Sequence, residues 1–291
     1  MNVQQLAGKT CLVTGASRGL GRAIARRFWQ EGASLVLAVR DPSSVESLLS
    51  DLGRAGEQSS VTVRLDLQDF ESATSLIDRT VAMGIRRIDV LVNNAGIQGP
   101  IGKTWEAPPQ TWNDAIAVDL VGPAMICRAA VPLMAKHGGG RIINLSGGGA
   151  TGPRQNFSAY ATAKAGLVRF SETLAEEVKP LGVAVNCVAP GPMGTDMLAT
   201  VLKAGIEAAG EREIVAARKA LEGGIETLTA AVDLIVFLAS SGSQGVTGKL
   251  ISALWDKWQD FPDHVGELGA SDVYTLRRIT GRERGIGWSD K

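Results

Sequence analysis

The sequence predicts an α/β protein: a doubly wound parallel sheet with helices on both faces. Three observations predict it. Short, continuously apolar runs alternate six times with amphipathic stretches. Strands buried on both faces of a parallel sheet read this way, whereas a half-wet antiparallel sheet would alternate residue by residue. The first apolar run leads straight into a glycine-rich turn and a helix. Finally, 291 residues, 45% hydrophobic and 21% charged, suffice for one large domain or two small ones with a sizeable core.

In chain order, strands are expected at residues 10–13, 34–39, 61–65, 89–92, 141–145 and 183–188. Each is a run of strand length dominated by Val, Ile, Leu, Ala or Cys. Helices are expected at 20–30, 43–54, 70–83, 110–135, 158–178 and 230–238, where apolar residues recur with helical spacing. Residues 196–224, rich in Ala, Glu and Lys, read as a helical insertion. Residues 1–250 therefore form one dinucleotide-binding unit of Rossmann type, the insertion included. After Gly248 the alternation stops, and 251–291 reads as a C-terminal extension carrying Trp255, Trp258 and Trp288. Aromatics of that size favour burial or interfaces. The extension is expected to be ordered, docked near the substrate cleft, on a neighbouring subunit, or along the sheet edge.

Composition excludes several classes. Lys plus Arg and Asp plus Glu both total 30, so zero net charge argues against nucleic acid or an anionic membrane as partner. The longest apolar stretch, 230–239, is interrupted by Asp233 and falls short of the ~20 residues of a membrane span. Residues 1–9 carry no apolar segment of signal-peptide type. Cys11, Cys127 and Cys187 stand far apart in apolar runs, as buried thiols in a reducing, cytoplasmic compartment would. Only His137 and His264 are available for a zinc site or a Ser-His-Asp triad, so no metal is expected.

The turn reads Thr14-Gly15-Ala16-Ser17-Arg18-Gly19-Leu20-Gly21. Its glycines allow a tight turn and close approach of backbone to a pyrophosphate, and the helix that follows offers free N–H groups to it. Further along, Tyr160 and Lys164 lie four apart on a predicted helix and project from one face. An ammonium beside a phenol lowers its pKa from about 10 toward the working range.

The spacing T-G-x-x-x-G-x-G resembles that of the shorter branch of the short-chain dehydrogenase/reductase family. Asn93-Asn94-Ala95-Gly96, Tyr160-Ala-Thr-Ala-Lys164 and Pro190-Gly191-Pro192-Met193-Gly194-Thr195 match three further motifs of that family, in its order. The resemblance spans about residues 7–250. It implies a nicotinamide dinucleotide, a small carbonyl or alcohol substrate, Tyr160 exchanging the substrate proton, Lys164 on the nicotinamide ribose, and a homodimer or homotetramer. It implies the Asp66 carboxylate on the adenine amino group, with Leu67 beside it. Asn93 would support the strand junction, Ala95 and Gly96 would leave room for the ribose, and Thr195 with the Met193 backbone would hold the carboxamide.

The second strand ends Ala38-Val39-Arg40-Asp41. An acidic residue ~20 positions past the glycines selects the 2′-hydroxyl of NAD(H), and a nearby Arg accommodates a 2′-phosphate. Val39 replaces the acid, while Arg40 and Arg18 offer two guanidinium groups, so NADP(H) is expected over NAD(H). Asp41 opposes this if it reaches the ribose or pairs with Arg40.

Two departures stand at the reacting end. The family's serine lies about thirteen residues before the tyrosine, which is Gly147 here. Ser146 is one residue off, with Asn156 and Ser158 as other polar candidates. The family's asparagine, in V-N-L, is Asp119 in Val118-Asp119-Leu120. A carboxylate there would pair with Lys164 and oppose its action on Tyr160. The expected activity is an NADP(H)-linked oxidoreductase. The alternatives are a non-catalytic NADP(H)-binding sensor or scaffold, and another reaction class on the same fold, such as a dehydratase or epimerase.

Overall fold

The computed structural model describes residues 4–53, 57–222 and 224–288. Strands β1 (Thr10–Thr14), β2 (Ser34–Val39), β3 (Ser60–Arg64), β4 (Val90–Asn93), β5 (Gly140–Leu145), β6 (Val183–Ala189) and β7 (Leu250–Ser252) form one sheet. All are parallel, in the order β3-β2-β1-β4-β5-β6-β7. The three residues of β7 were too few to be read from the sequence. The order reverses between β1 and β4, the place where such sheets open a ligand crevice at the carboxyl ends of their strands.

Alternate strand residues feed two cores. Cys11, Val13, Leu35, Leu37, Val90 and Val92 pack on one face with Ile24 and Phe28 of α1 (Gly19–Gln30). Leu12, Val36, Ala38, Leu91 and Ile142 pack on the other with helices described below. All three cysteines are buried and free, and burial pushes the thiols of Cys127 and Cys187 up to about 12. As thiols they act as small core hydrophobes.

Three expected helices are interrupted or open with another helix type. The segment expected as 43–54 opens as a 3₁₀ turn, Pro42–Val45, before α2 (Glu46–Leu52). Asp41 accepts from the Ser43 amide and hydroxyl and fixes that start; Arg54, the expected end, lies outside the described residues. The segment expected as 70–83 divides at Ser75 into α3 (Phe70–Thr74) and α4 (Leu76–Ala82). There the Glu71 carbonyl accepts from the Ser75 amide, the Ser75 hydroxyl and the Thr74 hydroxyl, a side-chain competition that disturbs helices. The segment expected as 110–135 runs as α5 (Pro109–Ile116), one π-helical turn (Ala117–Val121) and α6 (Gly122–Lys136). Pro109–Lys136 is long and apolar enough to cross a membrane by length and composition. In this fold Val118, Ile126, Cys127, Ala130 and Met134 bury against the sheet.

Helix α7 (Ser158–Val178) covers the same face. The insertion is two helices, α8 (Asp196–Ala209) and α9 (Glu211–Glu222), turned at Gly210 with φ +92°. Helix α10 (Gly224–Ala239) starts earlier than its expected span and closes the first face.

The extension packs on the body. Trp258, Phe261 and Leu268 join the core around α10, and Tyr274 lies against Phe261. The Leu250 amide donates to the Tyr274 carbonyl (2.8 Å), so the extension satisfies the outer edge of β7. Lys249 Nζ donates to the Ser271 and Val273 carbonyls, both at 3.0 Å. Trp255, 76% exposed, instead lines the cleft at the carboxyl ends of the strands.

Candidate active site

The cleft at those strand ends has a volume of about 1480 Å³ and is lined from the glycine turn to the insertion. Gly15 (φ +67°) and Gly19 (φ +53°) use the left-handed region. Gly21 is needed for space: a Cβ there would lie 2.3 Å from the Gly15 carbonyl oxygen and 2.4 Å from Asn94 Nδ2. Arg18 stands at the N-cap of α1 without capping it by its side chain. The first amides of that helix are thus left for an anion, and Gly15, Ser17, Arg18, Gly19, Leu20 and Gly21 all line the cleft. This cradle fits the pyrophosphate of a dinucleotide.

Thr14 and Asn94 lock the turn to β4. Thr14 Oγ1 accepts from the amides of Asn94 and Ala95, both at 3.0 Å. Asn94 Nδ2 donates to the Thr14 carbonyl (2.9 Å) and the Gly15 carbonyl (3.3 Å). Asn93 is placed differently. It is buried behind the cleft and donates to Asn144 Oδ1 (2.8 Å), so it holds β4 to β5 and does not line the cleft. The adjacent Asn94, quoted in the motif but given no role from sequence, does line it.

At the ribose end, Val39 and Arg40 line the cleft, and Arg40 has no ion pair among the described residues. The opposing reading of Asp41 loses force, because its carboxylate is occupied by Ser43. Arg18 pairs with Asp196 at the start of α8 (2.7 Å), but both side chains are mostly exposed. Such pairs contribute at most about 1 kcal/mol, so a phosphate competes for Arg18 readily. Asp66 and Leu67 line the cleft, and Asp69, not Asp66, caps α3. Ala95, Gly96, Pro190, Gly191, Met193 and Thr195 line the cleft further along.

Helix α7 brings Tyr160 and Lys164 to the same cleft, both buried. Lys164 Nζ donates to the Leu145 carbonyl (3.0 Å) and lies 5.5 Å from the centroid of the Tyr160 ring. The π turn, an irregularity frequent at functional sites, places Asp119 fully buried beside them. Its Oδ1 accepts from the Ile97 amide (2.9 Å), and its Oδ2 is 4.0 Å from Lys164 Nζ with no hydrogen bond among the described residues. Gly96 makes room, since a Cβ there would lie 2.9 Å from Asp119 Oδ1. Burial raises the Asp119 carboxyl pKa against the opposing pull of Lys164 and the Ile97 amide.

The lowering of the Tyr160 pKa expected from Lys164 is present but outweighed. Burial raises it, Lys164 lowers it, Asp119 raises it again and Arg154 lowers it. The phenol is therefore held protonated, the form an acid needs.

A profile of the family described as short chain dehydrogenase matches residues 9–205. The chain belongs to the short-chain dehydrogenase/reductase family. It is 34% identical over 247 residues to the 3-oxoacyl-(acyl-carrier-protein) reductase FabG of Escherichia coli, covering 84% of this chain and 95% of that protein. It is 35% identical over 191 residues to dehydrogenase/reductase SDR family member 4 of Homo sapiens, covering 65% and 68%. Among solved structures it resembles a candidate NAD(P)-dependent gluconate 5-dehydrogenase from Beutenbergia cavernae that holds NADP at low occupancy. That match has TM-score 0.74 and 33% identity, covering 87% of this chain and 97% of the other.

As a short-chain dehydrogenase/reductase the protein departs from its family around Tyr160. A Cβ on Gly147 would lie 2.2 Å from Tyr160 Oη, so the phenol occupies the volume a side chain at 147 would need. Ser146 lines the cleft, yet its Oγ is buried and makes no hydrogen bond among the described residues. Ser158 Oγ accepts from Trp112 Nε1 (3.2 Å), and neither Ser158 nor Asn156 lines the cleft. Trp105 is 80% exposed and lies outside the cleft, whereas Met197 and Trp255 line it. Arg154, in a loop with no periodicity to single it out, also lines the cleft beside Tyr160.

Proposed function

We propose that this short-chain dehydrogenase/reductase is an NADP(H)-dependent oxidoreductase that interconverts a small ketone or aldehyde and the corresponding alcohol. The observation that carries this reading is Tyr160, buried beside Lys164, in the same cleft as the glycine cradle. When bound, the dinucleotide supplies or accepts the hydride. Residues 15–21 hold its pyrophosphate, Arg40 and Arg18 its 2′-phosphate, and Asp66 with Leu67 its adenine. Pro190, Gly191, Met193 and Thr195 border its nicotinamide. In reduction Tyr160 gives its phenolic proton to the substrate oxygen; in oxidation the phenolate takes it back. Lys164 stabilises that phenolate. A non-catalytic binding protein would need the cradle alone. It gives no use to a buried lysine and carboxylate, whose desolvation costs several kcal/mol per ion.

With NADPH deuterated at its transferable position, turnover of a panel of ketones and aldehydes should place deuterium on the carbinol carbon. Alcohol formed without deuterium would overturn the reading.

Cofactor choice is tested at Arg40. Arg40→Asp exchanges a phosphate partner for a hydroxyl acceptor. NADPH affinity should fall by about tenfold, the equivalent of one charge-assisted hydrogen bond, and NADH affinity should rise. Titration of both dinucleotides into both proteins decides it, and an unchanged preference removes Arg40 from the site.

Asp119 sets the pH dependence. Its charge raises the Tyr160 pKa. Asp119→Asn removes that effect, so the phenolate forms more readily and the rise of alcohol oxidation with pH should move to lower pH. Superimposable profiles for wild type and variant would contradict this.

A further inference from the structure

Gly147 leaves the reacting end without the hydrogen-bond donor that a side chain there would provide. The two adjacent glycines face two different groups. A Cβ on Gly147 would meet Tyr160 Oη; one on Gly148 would have Arg154 Nη1 as its nearest neighbour, at 3.7 Å. The guanidinium is held on three sides. Its Nε and Nη2 donate to Glu213 Oε2 of α9 at 3.1 and 2.7 Å. Its Cζ lies 3.9 Å above the centroid of the fully buried Phe157 ring and 5.7 Å from that of Tyr160. Nη1 alone makes no hydrogen bond among the described residues, and Arg154 lines the cleft. Ser146 Oγ, the nearest hydroxyl in sequence, is buried.

We propose that Arg154 is a catalytic residue whose Nη1 donates to the substrate oxygen at the point where Tyr160 exchanges its proton. The inference rests on the redox reading above. Glu213 is then a positioning residue, because it fixes two of the guanidinium nitrogens and leaves Nη1 without a protein partner among the described residues. A donor fixed before the reaction stabilises charge as it develops on oxygen without reorganising. In reduction the carbonyl oxygen gains negative charge as hydride reaches the carbon, Nη1 stabilises it, and the phenolic proton then completes the hydroxyl. Arg154 itself loses no proton. The charged groups acting on the phenol are Lys164 from α7, Asp119 from the π turn and Arg154 from the loop. Arg154 and Lys164 favour the phenolate, and Asp119 opposes it.

The test compares wild type with Arg154→Met, Glu213→Gln and Ser146→Ala. Arg154→Met should lower kcat by about 100-fold, the effect of losing one preorganised donor, with NADPH binding retained. Guanidinium ion added to Arg154→Ala should restore part of the lost rate. Glu213→Gln should cost much less, and Ser146→Ala less still. If Arg154 only tied α9 to the loop, Arg154→Met and Glu213→Gln would have equal effects, mainly on KM; that result overturns the proposal. So does a loss confined to Ser146→Ala. A second readout needs no turnover. The chain has two tyrosines, Tyr160 and Tyr274, so tyrosinate absorbance against Tyr160→Phe isolates the Tyr160 titration. Arg154→Met should move it to higher pH, as expected for losing a nearby cation that favours the phenolate; no movement overturns the proposal. Absence of turnover in wild type would instead count against the redox reading.

Discussion

Tyr160→Phe should lower turnover by at least ~100-fold, the effect of losing a positioned proton donor. The aromatic ring stays and fills the same buried space. The hydroxyl makes no hydrogen bond to the described residues, so its removal leaves no protein partner unsatisfied. Stability should change by less than about 1 kcal/mol. NADPH binding should persist, because the pyrophosphate cradle lies on β1 and α1. Thermal unfolding, NADPH titration and turnover measured on one preparation separate these effects. Turnover close to that of wild type would mean that another group protonates the substrate.

Gly21→Ala should disable the other half of the site. The added methyl would sit 2.3 Å from the Gly15 carbonyl oxygen and 2.9 Å from its carbon. These are backbone atoms of the cradle, so relief requires the turn itself to move. Overpacking of this kind costs about 1–3 kcal/mol. The same displacement enlarges the cradle, and NADPH affinity should fall by roughly tenfold to a hundredfold. Gly266→Ala is the matched control, because nothing lies within 4 Å of a Cβ there. Equal NADPH affinity in Gly21→Ala and wild type would show that residues 15–21 do not enclose the pyrophosphate.

The sheet was legible because its strands are rich in apolar residues directed to both faces, as Leu12 and Val13 feeding opposite cores require. The glycine turn was legible because Gly21 has no sterically allowed substitute and because helix α1 follows it at once. The π turn was not. Ala117–Val121 reads as ordinary helix, and only the packing of Asp119 against Lys164 and the Ile97 amide shows why one extra residue is accommodated. The three-residue strand β7 carries too little pattern to register. The roles of Asn94 and Arg154 depend on partners far away in sequence, Thr14 and Glu213, which no local spacing reveals. The sign of the Tyr160 shift also depends on burial, which outweighs the neighbouring lysine.

The central claim is that Tyr160 and Lys164 work on a carbonyl or alcohol beside a bound NADP(H). It is tested most directly by NADPH consumption across a panel of ketones and aldehydes, run in parallel on wild type and Tyr160→Phe at equal cofactor occupancy. The account predicts that wild type consumes NADPH with at least one carbonyl and forms an equal amount of alcohol. Tyr160→Phe should do so at least ~100-fold more slowly. It is contradicted if both proteins bind NADPH and no member of the panel is reduced faster by wild type than by Tyr160→Phe.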